Sequence, residues 1–373
     1  MKQRFTALNI FVALLVVAGM TCAAFAQDSS DTLPAHPRYA RLTPHLRSDV
    51  GTPAAALTTW NGQFSYGGTI YKYNMVGKRP STGASLTVPT FIIPVVLQYT
   101  SGGTTTTFTP YTKQSNGATA LANTINSPIF QDMDWVSPEG TDLGTTQYED
   151  AFQRGNFWSQ VKTATGYHVL LGTPTVTATL KLTVPAGDGK VGSEFGVKVG
   201  LADINWFDAQ LEAFITAHPA IRTNTFPIFI TYDAYLTESG ECCVGGYHNS
   251  MGTTGAPQAY AHFTYIGKTG TFAQDVSALS HEAGEWLDDP LVVNTNGNPV
   301  ACGVLEVGDP EEGFNEDGAA YGAFPYTLSG FTYHLQDLVY LEYFGAPKTT
   351  SVDGGKESFH DNPFGLGICN NGG

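Results

Sequence analysis

The run Ser280-His281-Glu282-Ala283-Gly284-Glu285-Trp286-Leu287-Asp288-Asp289-Pro290 holds the residues best suited to chemistry. It reads H-E-x-x-E. On a helix, residues four apart share a face, so His281 and Glu285 point the same way and Glu282 sits beside them. This is the layout of H-E-x-x-H metalloprotease helices with the second His replaced by Glu. An imidazole and a carboxylate on one face can hold a divalent cation, and the neighbouring carboxylate can take a proton from a water bound to it. Glu282 is therefore the candidate catalytic base, with His281 and Glu285 as candidate metal ligands. The bland alternative is an acidic helix with one His.

A catalytic zinc site uses three protein ligands and an open position. The third ligand is expected downstream. Glu306, in Leu305-Glu306-Val307-Gly308-Asp309, lies 21 residues after Glu285, near the offset of the third glutamate in thermolysin-like enzymes. Asp309 is placed to orient His281 or to replace Glu306 as ligand. The competing reading is a solvated acidic loop, because Glu311, Glu312, Glu316 and Asp317 follow at once. Candidate donors for a developing oxyanion are Tyr333 and His334, with Tyr321 and His248 behind them. His168, His218, His262 and His360 have no partner pattern and read as structural. Carboxylate ligands weaken the Lewis acidity of an ion and admit calcium or manganese beside zinc.

The elements expected to position these residues run in a definite order. Asp203 to His218 reads as an amphipathic helix ended by Pro219. Thr225 to Tyr235 reads as a strand, and Ala259 to Ile266 as a second strand at the sheet edge. A helix from about Phe272 to Asp289 follows, with Thr271 and Gln274 as a capping box and Pro290 as its stop. Phe272, Val276, Leu279, Ala283, Trp286 and Leu287 form its buried stripe, opposite His281, Glu285, Asp288 and Asp289. Upstream, Thr146 to about Thr163 reads as helix. Thr90 to Tyr99 reads as a strand that Pro94 marks as an edge or a bulge. Gly102-Gly103 reads as a hairpin tip, and Val176 to Val184 alternates as a half-buried strand. The order of helix, strand, edge strand and metal-binding helix predicts an α+β chain. It consists of a zincin-like catalytic domain over 146–373, with a mixed sheet, a backing helix and the H-E-x-x-E helix, preceded by a β-rich region over 52–145.

Composition frames the compartment. Lys2 and Arg4, an apolar run and Ala24-Phe25-Ala26 read as a signal peptide over 1–26, so the chain is expected to be secreted, extracellular or periplasmic. Residues 27–51 are polar and Pro-punctuated and read as a flexible lead-in. The 33 Asp and Glu against 18 Lys and Arg argue against nucleic acid or an anionic membrane as partner, leaving a peptide or protein substrate. After the signal, four cysteines remain: Cys242, Cys243, Cys302 and Cys369. An oxidising compartment suggests two disulfides. Adjacent cysteines are sterically awkward partners, so the expected bridges tie Cys242 and Cys243 to Cys302 and Cys369 in one of two pairings.

The run SHEAGEWLDDPL from Ser280, followed by Leu305-Glu306-Val307-Gly308-Asp309, resembles the H-E-x-x-E and E-I-G-D signature of Exordium-like, phosphate-induced proteins and their secreted bacterial relatives. Val244-Gly245-Gly246-Tyr247-His248 is similar to their upstream Gly-Tyr/Trp-His segment. The resemblance spans roughly residues 225 to 345. It implies a secreted protein with a zincin-like site at His281, Glu282, Glu285 and Glu306. Plant members are associated with the cell wall and growth, so the resemblance supports the site more than peptidase activity. Two functions follow as expectations. One is a secreted zinc-dependent hydrolase, a metallopeptidase. The other is a non-catalytic extracellular or cell-surface binding protein with a structural or vestigial metal site.

Overall fold

Sheet dominates the chain, and the principal helices are Tyr148–Asn156, Ile204–Ala217 and Ser277–Asp288. The computed structural model describes residues 37–48, 56–294, 305–312 and 321–360. The class is mixed α/β. The largest sheet is ordered His45–Arg47, Gly246–Thr253, Ala256–Tyr265, Phe226–Tyr232, Thr90–Ser101 and Thr175–Val176. Phe226–Tyr232 runs parallel to both of its neighbours, whereas Gly246–Thr253 is antiparallel to Ala256–Tyr265. Ile228, Phe229 and Ile230 are all fully buried, as expected of a parallel strand covered on both faces. Alternation sorts these strands onto two cores. Ile228, Ile230, Ala261 and Phe263 face the core that includes the H-E-x-x-E helix, and Phe229 and Tyr260 face Phe207, Leu211 and Phe214 of Ile204–Ala217. Among the described residues no helix is long and apolar enough to cross a membrane; the signal-peptide reading falls outside them.

Several expectations hold. Ile204–Ala217 is capped by Asp203, whose side chain accepts from the Trp206 N–H at 3.0 Å. Gly102 and Gly103 turn the hairpin between Ser101 and Thr104, both with positive φ.

Others change. Thr90–Ser101, assigned from sequence to a separate β-rich region, pairs with Phe226–Tyr232 inside the main sheet. Pro94 therefore lies on an interior strand. It is tolerated because its outer flank is broken there: Thr175–Val176 pairs up to Ile92, and Leu180–Thr183 resumes at Val95. The same break splits the expected strand over 176–184. The expected helix over 146–163 is two pieces, Tyr148–Asn156 and Trp158–Val161. Ala256–Tyr265 is an interior strand, and Gly246–Thr253 lies outside it, next to the edge that the short His45–Arg47 forms. Residues of the expected flexible lead-in are ordered along that edge, where His45–Arg47 pairs in parallel with Met251–Thr253. Backbone pairing holds this segment, and backbone pairing leaves no apolar period in a sequence.

The H-E-x-x-E helix also starts later than the capping box implied. It spans Ser277–Asp288 with no side-chain cap. Ala273 and Asp275 have φ of 57° and 38°, outside helical space. The Gln274 side chain instead accepts from the Gly270 N–H at 2.6 Å, and the Thr271 hydroxyl donates to the Lys268 carbonyl at 2.6 Å.

Candidate metal centre

The H-E-x-x-E helix is buried on every side, not on one stripe. Tyr148–Asn156 packs on it, with Gln153 Nε2 donating to Asp288 Oδ1 at 3.0 Å. The Gln336 N–H, from the hairpin Ala323–Leu328 and Phe331–Gln336, donates to Ser280 Oγ at 2.8 Å. His281, Glu282 and Glu285 consequently lie 0%, 1% and 3% exposed, so the acidic face is sealed from solvent.

Inside this enclosure the donors converge. His281 Nε2 is 3.0 Å from Glu285 Oε1 and 3.5 Å from Asp309 Oδ1, without the alignment of a hydrogen bond in either contact. The Gly308 N–H donates to the same Glu285 oxygen at 3.2 Å. His248 enters from the strand Gly246–Thr253. Its Nδ1 is 3.4 Å from Glu282 Oε2, 3.7 Å from Glu285 Oε2 and 4.0 Å from Glu306 Oε2. Its Nε2 is 3.0 Å from the Asp289 carbonyl. A carbonyl only accepts, so this partner assigns the proton to Nε2 and leaves the Nδ1 lone pair facing three carboxylates.

Burial sets the electrostatics. It pushes the carboxyls of Glu282, Glu285 and Glu306 well above the usual range, and their neighbouring carboxylates push in the same direction. For His281, burial alone lowers the pKa, but the Asp309 carboxylate beside it and the charges of Glu282 and Glu312 outweigh this and raise it. Burial pulls His248 down to about 4. Among the described residues none of Glu282, Glu285 and Glu306 has a Lys or Arg ion-pair partner.

This donor set fits a divalent cation. Buried carboxylates without a counter-charge are costly, and a cation supplies one. His281 Nδ1 and Nε2, Glu282 Oε1 and Glu306 Oε1 are buried with no hydrogen-bond partner. Ligands about 2.1 Å from one centre at tetrahedral angles stand about 3.4 Å apart, which is the spacing of these contacts. Two triads have donor atoms all within 4.8 Å of one another: His281, Glu285 and Asp309, and His248, Glu282 and Glu285.

The structure thus brings together His281, Glu282, Glu285 and Asp309 as the sequence suggested. It places Asp309, not Glu306, beside His281. Glu306 lies on the His248 side and shares a hydrogen bond with Glu285. His248, weighed in the sequence only as an oxyanion donor, stands among the carboxylates, and its one N–H is taken by Asp289. The Gly-Gly-Tyr-His segment was the signal that could have found it.

Tyr333 and His334 are held elsewhere. His334 Nδ1 is 2.6 Å from Asp275 Oδ2, and its ring lines a cleft with Gln114, Asn116 and Gln274. Tyr333 packs edge-on to Phe331 and lines a cleft with Asn123 and Met133. Tyr321 packs against Phe272. The expected disulfides are corrected too. Cys242 and Cys243 are bonded to each other across the cis peptide that links them, a geometry that the steric argument against adjacent partners leaves out. Cys302 and Cys369 lie outside the described residues.

No protein-family model, curated protein or solved structure matches the chain.

Proposed function

We propose that this chain is a secreted, divalent-cation-dependent hydrolase of zincin-like architecture that acts on peptide bonds. The observation that carries it is the convergence of His281, Glu285 and Asp309 on one point, with Glu282 on the adjoining turn. The sequence of elements supports the zincin-like reading: backing helix Ile204–Ala217, strand Phe226–Tyr232, strand Gly246–Thr253 beside the donors, its antiparallel neighbour Ala256–Tyr265, then the H-E-x-x-E helix. His281, Glu285 and Asp309 hold the cation, and Glu306 and neutral His248 complete its surround. Zinc suits the imidazole, while the oxygen-rich set also admits manganese or calcium. A bound cation of this kind polarises a carbonyl and makes water more acidic.

Glu282 is the base. Its carboxylate, next to His281 on the helix, is placed to take a proton from the attacking water and return it to the leaving amine. The Gly308 N–H fixes the Glu285 carboxylate, and Gly308 packs against His281, so the loop after Leu305 orients two donors at once. The test compares casein hydrolysis by wild type and Glu282→Gln, with and without chelator. Cleavage that needs both Glu282 and the cation supports the reading, and bound metal without such cleavage removes it.

One observation favours a second reading. His281, Glu282 and Glu285 are buried in this conformation, while Asp309 is partly exposed. A permanently closed centre is a structural ion site in a non-catalytic extracellular protein. That reading predicts that chelation lowers Tm while no substrate is turned over under any condition.

A further inference from the structure

The edge strand that a peptide substrate would use is already occupied by the chain itself. Arg38 N–H donates to the Cys243 carbonyl, Gly245 N–H to the Arg38 carbonyl, and Ala40 N–H to the Gly246 carbonyl, each at 3.0 Å. Farther on, His45–Arg47 pairs with Met251–Thr253, and the Thr254 N–H donates to the Arg47 carbonyl at 3.0 Å. The register is the same at both ends: Arg38 faces Val244 (244 − 38 = 206) and His45 faces Met251 (251 − 45 = 206). The chain thus meets the same edge at both ends in the same offset, with the Ala40 bond one residue out of that register between them. This is β-augmentation supplied from within one chain.

The side chains reach the centre. Tyr39 is 7% exposed, and its ring stacks on His281 at 3.7 Å and 30°. Its N–H donates to Glu312 Oε2 at 3.2 Å. Arg38 NH2 is 2.6 Å from Glu238 Oε2. Backbone pairing thus sets the direction, the aromatic ring covers a metal-ligand candidate, and the guanidinium finds an acid beside the edge.

We propose that Arg38-Tyr39 is a built-in pseudosubstrate, and that the edge along Cys243–Thr253 takes extended peptides in which an aromatic residue follows a basic one. The word substrate rests on the hydrolase reading; the edge and its ligand class do not. Residues 37–47 hold the centre closed. Local opening of this strap, not global unfolding, admits a competing peptide.

The test uses the full chain carrying Glu282→Gln, so that binding is read without turnover. A fluorescent synthetic peptide of residues 36–47 is titrated into this protein and into the same protein with Arg38→Glu and Tyr39→Ala, and anisotropy is followed. The intact strap is expected to exclude the peptide. The weakened strap is expected to bind it, and to bind a peptide carrying the same two substitutions at least 10-fold more weakly. A folded strap variant that binds neither peptide, or both equally, overturns the proposal. If the double variant does not fold, Tyr39→Ala alone is followed by hydrogen exchange. Faster exchange at the Gly245 and Ala40 amides, with distant core amides unchanged, supports the strap, and unchanged exchange at both overturns it. Peptide binding together with no cleavage by the active-base protein removes the hydrolase reading and leaves the binding edge.

Discussion

Gly308→Ala is a small change aimed at the geometry of the centre. A Cβ at Gly308 would stand 2.4 Å from His281 Nδ1, 2.6 Å from Cε1 and 2.8 Å from Cγ. Carbon contacts relax near about 3.5 Å, so the imidazole has to move by about 1 Å. It has little room to do so. Tyr39 stacks on it at 3.7 Å, and the ring is fully buried. Metal–ligand distances tolerate about 0.2 Å, so a shift of this size takes Nε2 out of register with Glu285 and Asp309. Overpacking of this kind costs about 1–3 kcal/mol of stability. Disturbing a residue that orients a ligand typically weakens metal binding by about 10–100-fold, or about 1.4–2.7 kcal/mol. Zinc affinity is measured by chelator competition, and Tm is recorded for the apo and zinc-loaded protein. The expected result is a lower apo Tm and a smaller zinc-induced rise in Tm, because ligand stabilisation falls with affinity. Gly187→Ala is the control: its Cβ meets nothing within 4 Å, and it should change neither quantity. If Gly308→Ala keeps zinc affinity within about twofold, the centre does not depend on the His281 position, and the reasoning fails.

Other consequences can be measured. Gly284→Ala should gain about 1 kcal/mol from helix propensity alone. Its Cβ would lie 2.5 Å from Leu338 Cδ1 in the core, so a net loss of stability is expected in denaturant unfolding, and a gain would contradict the packing. Burial pushes Asp288 up to about 7. Its stabilising contribution is full below about pH 4 and is lost as pH rises through about 7, amounting to as much as about 4 kcal/mol over about 3 pH units. Asp288→Asn keeps an acceptor for Gln153 and should flatten the stability profile over that window; an unchanged slope would rule out this origin. Tyr39→Ala should raise peptide hydrolysis severalfold by loosening the strap over His281, and equal or lower hydrolysis at full metal occupancy would count against a closed resting state.

What the sequence made legible was local. The amphipathic helix Ile204–Ala217 and the Gly102-Gly103 turn both depend on residues close along the chain, and both are present. The H-E-x-x-E helix is present because its pattern is helical over two turns. The start of that helix was misread. Asp275 makes its contacts with His334, 59 residues away, and no capping pattern reports this. The strap was invisible for the same reason: Arg38 and Val244 meet through backbone atoms, which carry no sequence signal. For the third donor the spacing offers Glu306 first and Asp309 as its alternative; the loop brings Asp309 to His281 and Glu306 to the His248 side.

The proposed function stands on His281, Glu285 and Asp309 holding a divalent cation. The most direct measurement is metal content by mass spectrometry after purification without a histidine tag and dialysis against zinc at limiting free concentration. The expected result is about one zinc per wild-type chain, lost in His281→Ala and in Glu285→Gln and reduced in Asp309→Asn, with the variants still folded. A wild-type chain that binds no zinc, manganese or calcium, or variants that retain the same content, would contradict the account.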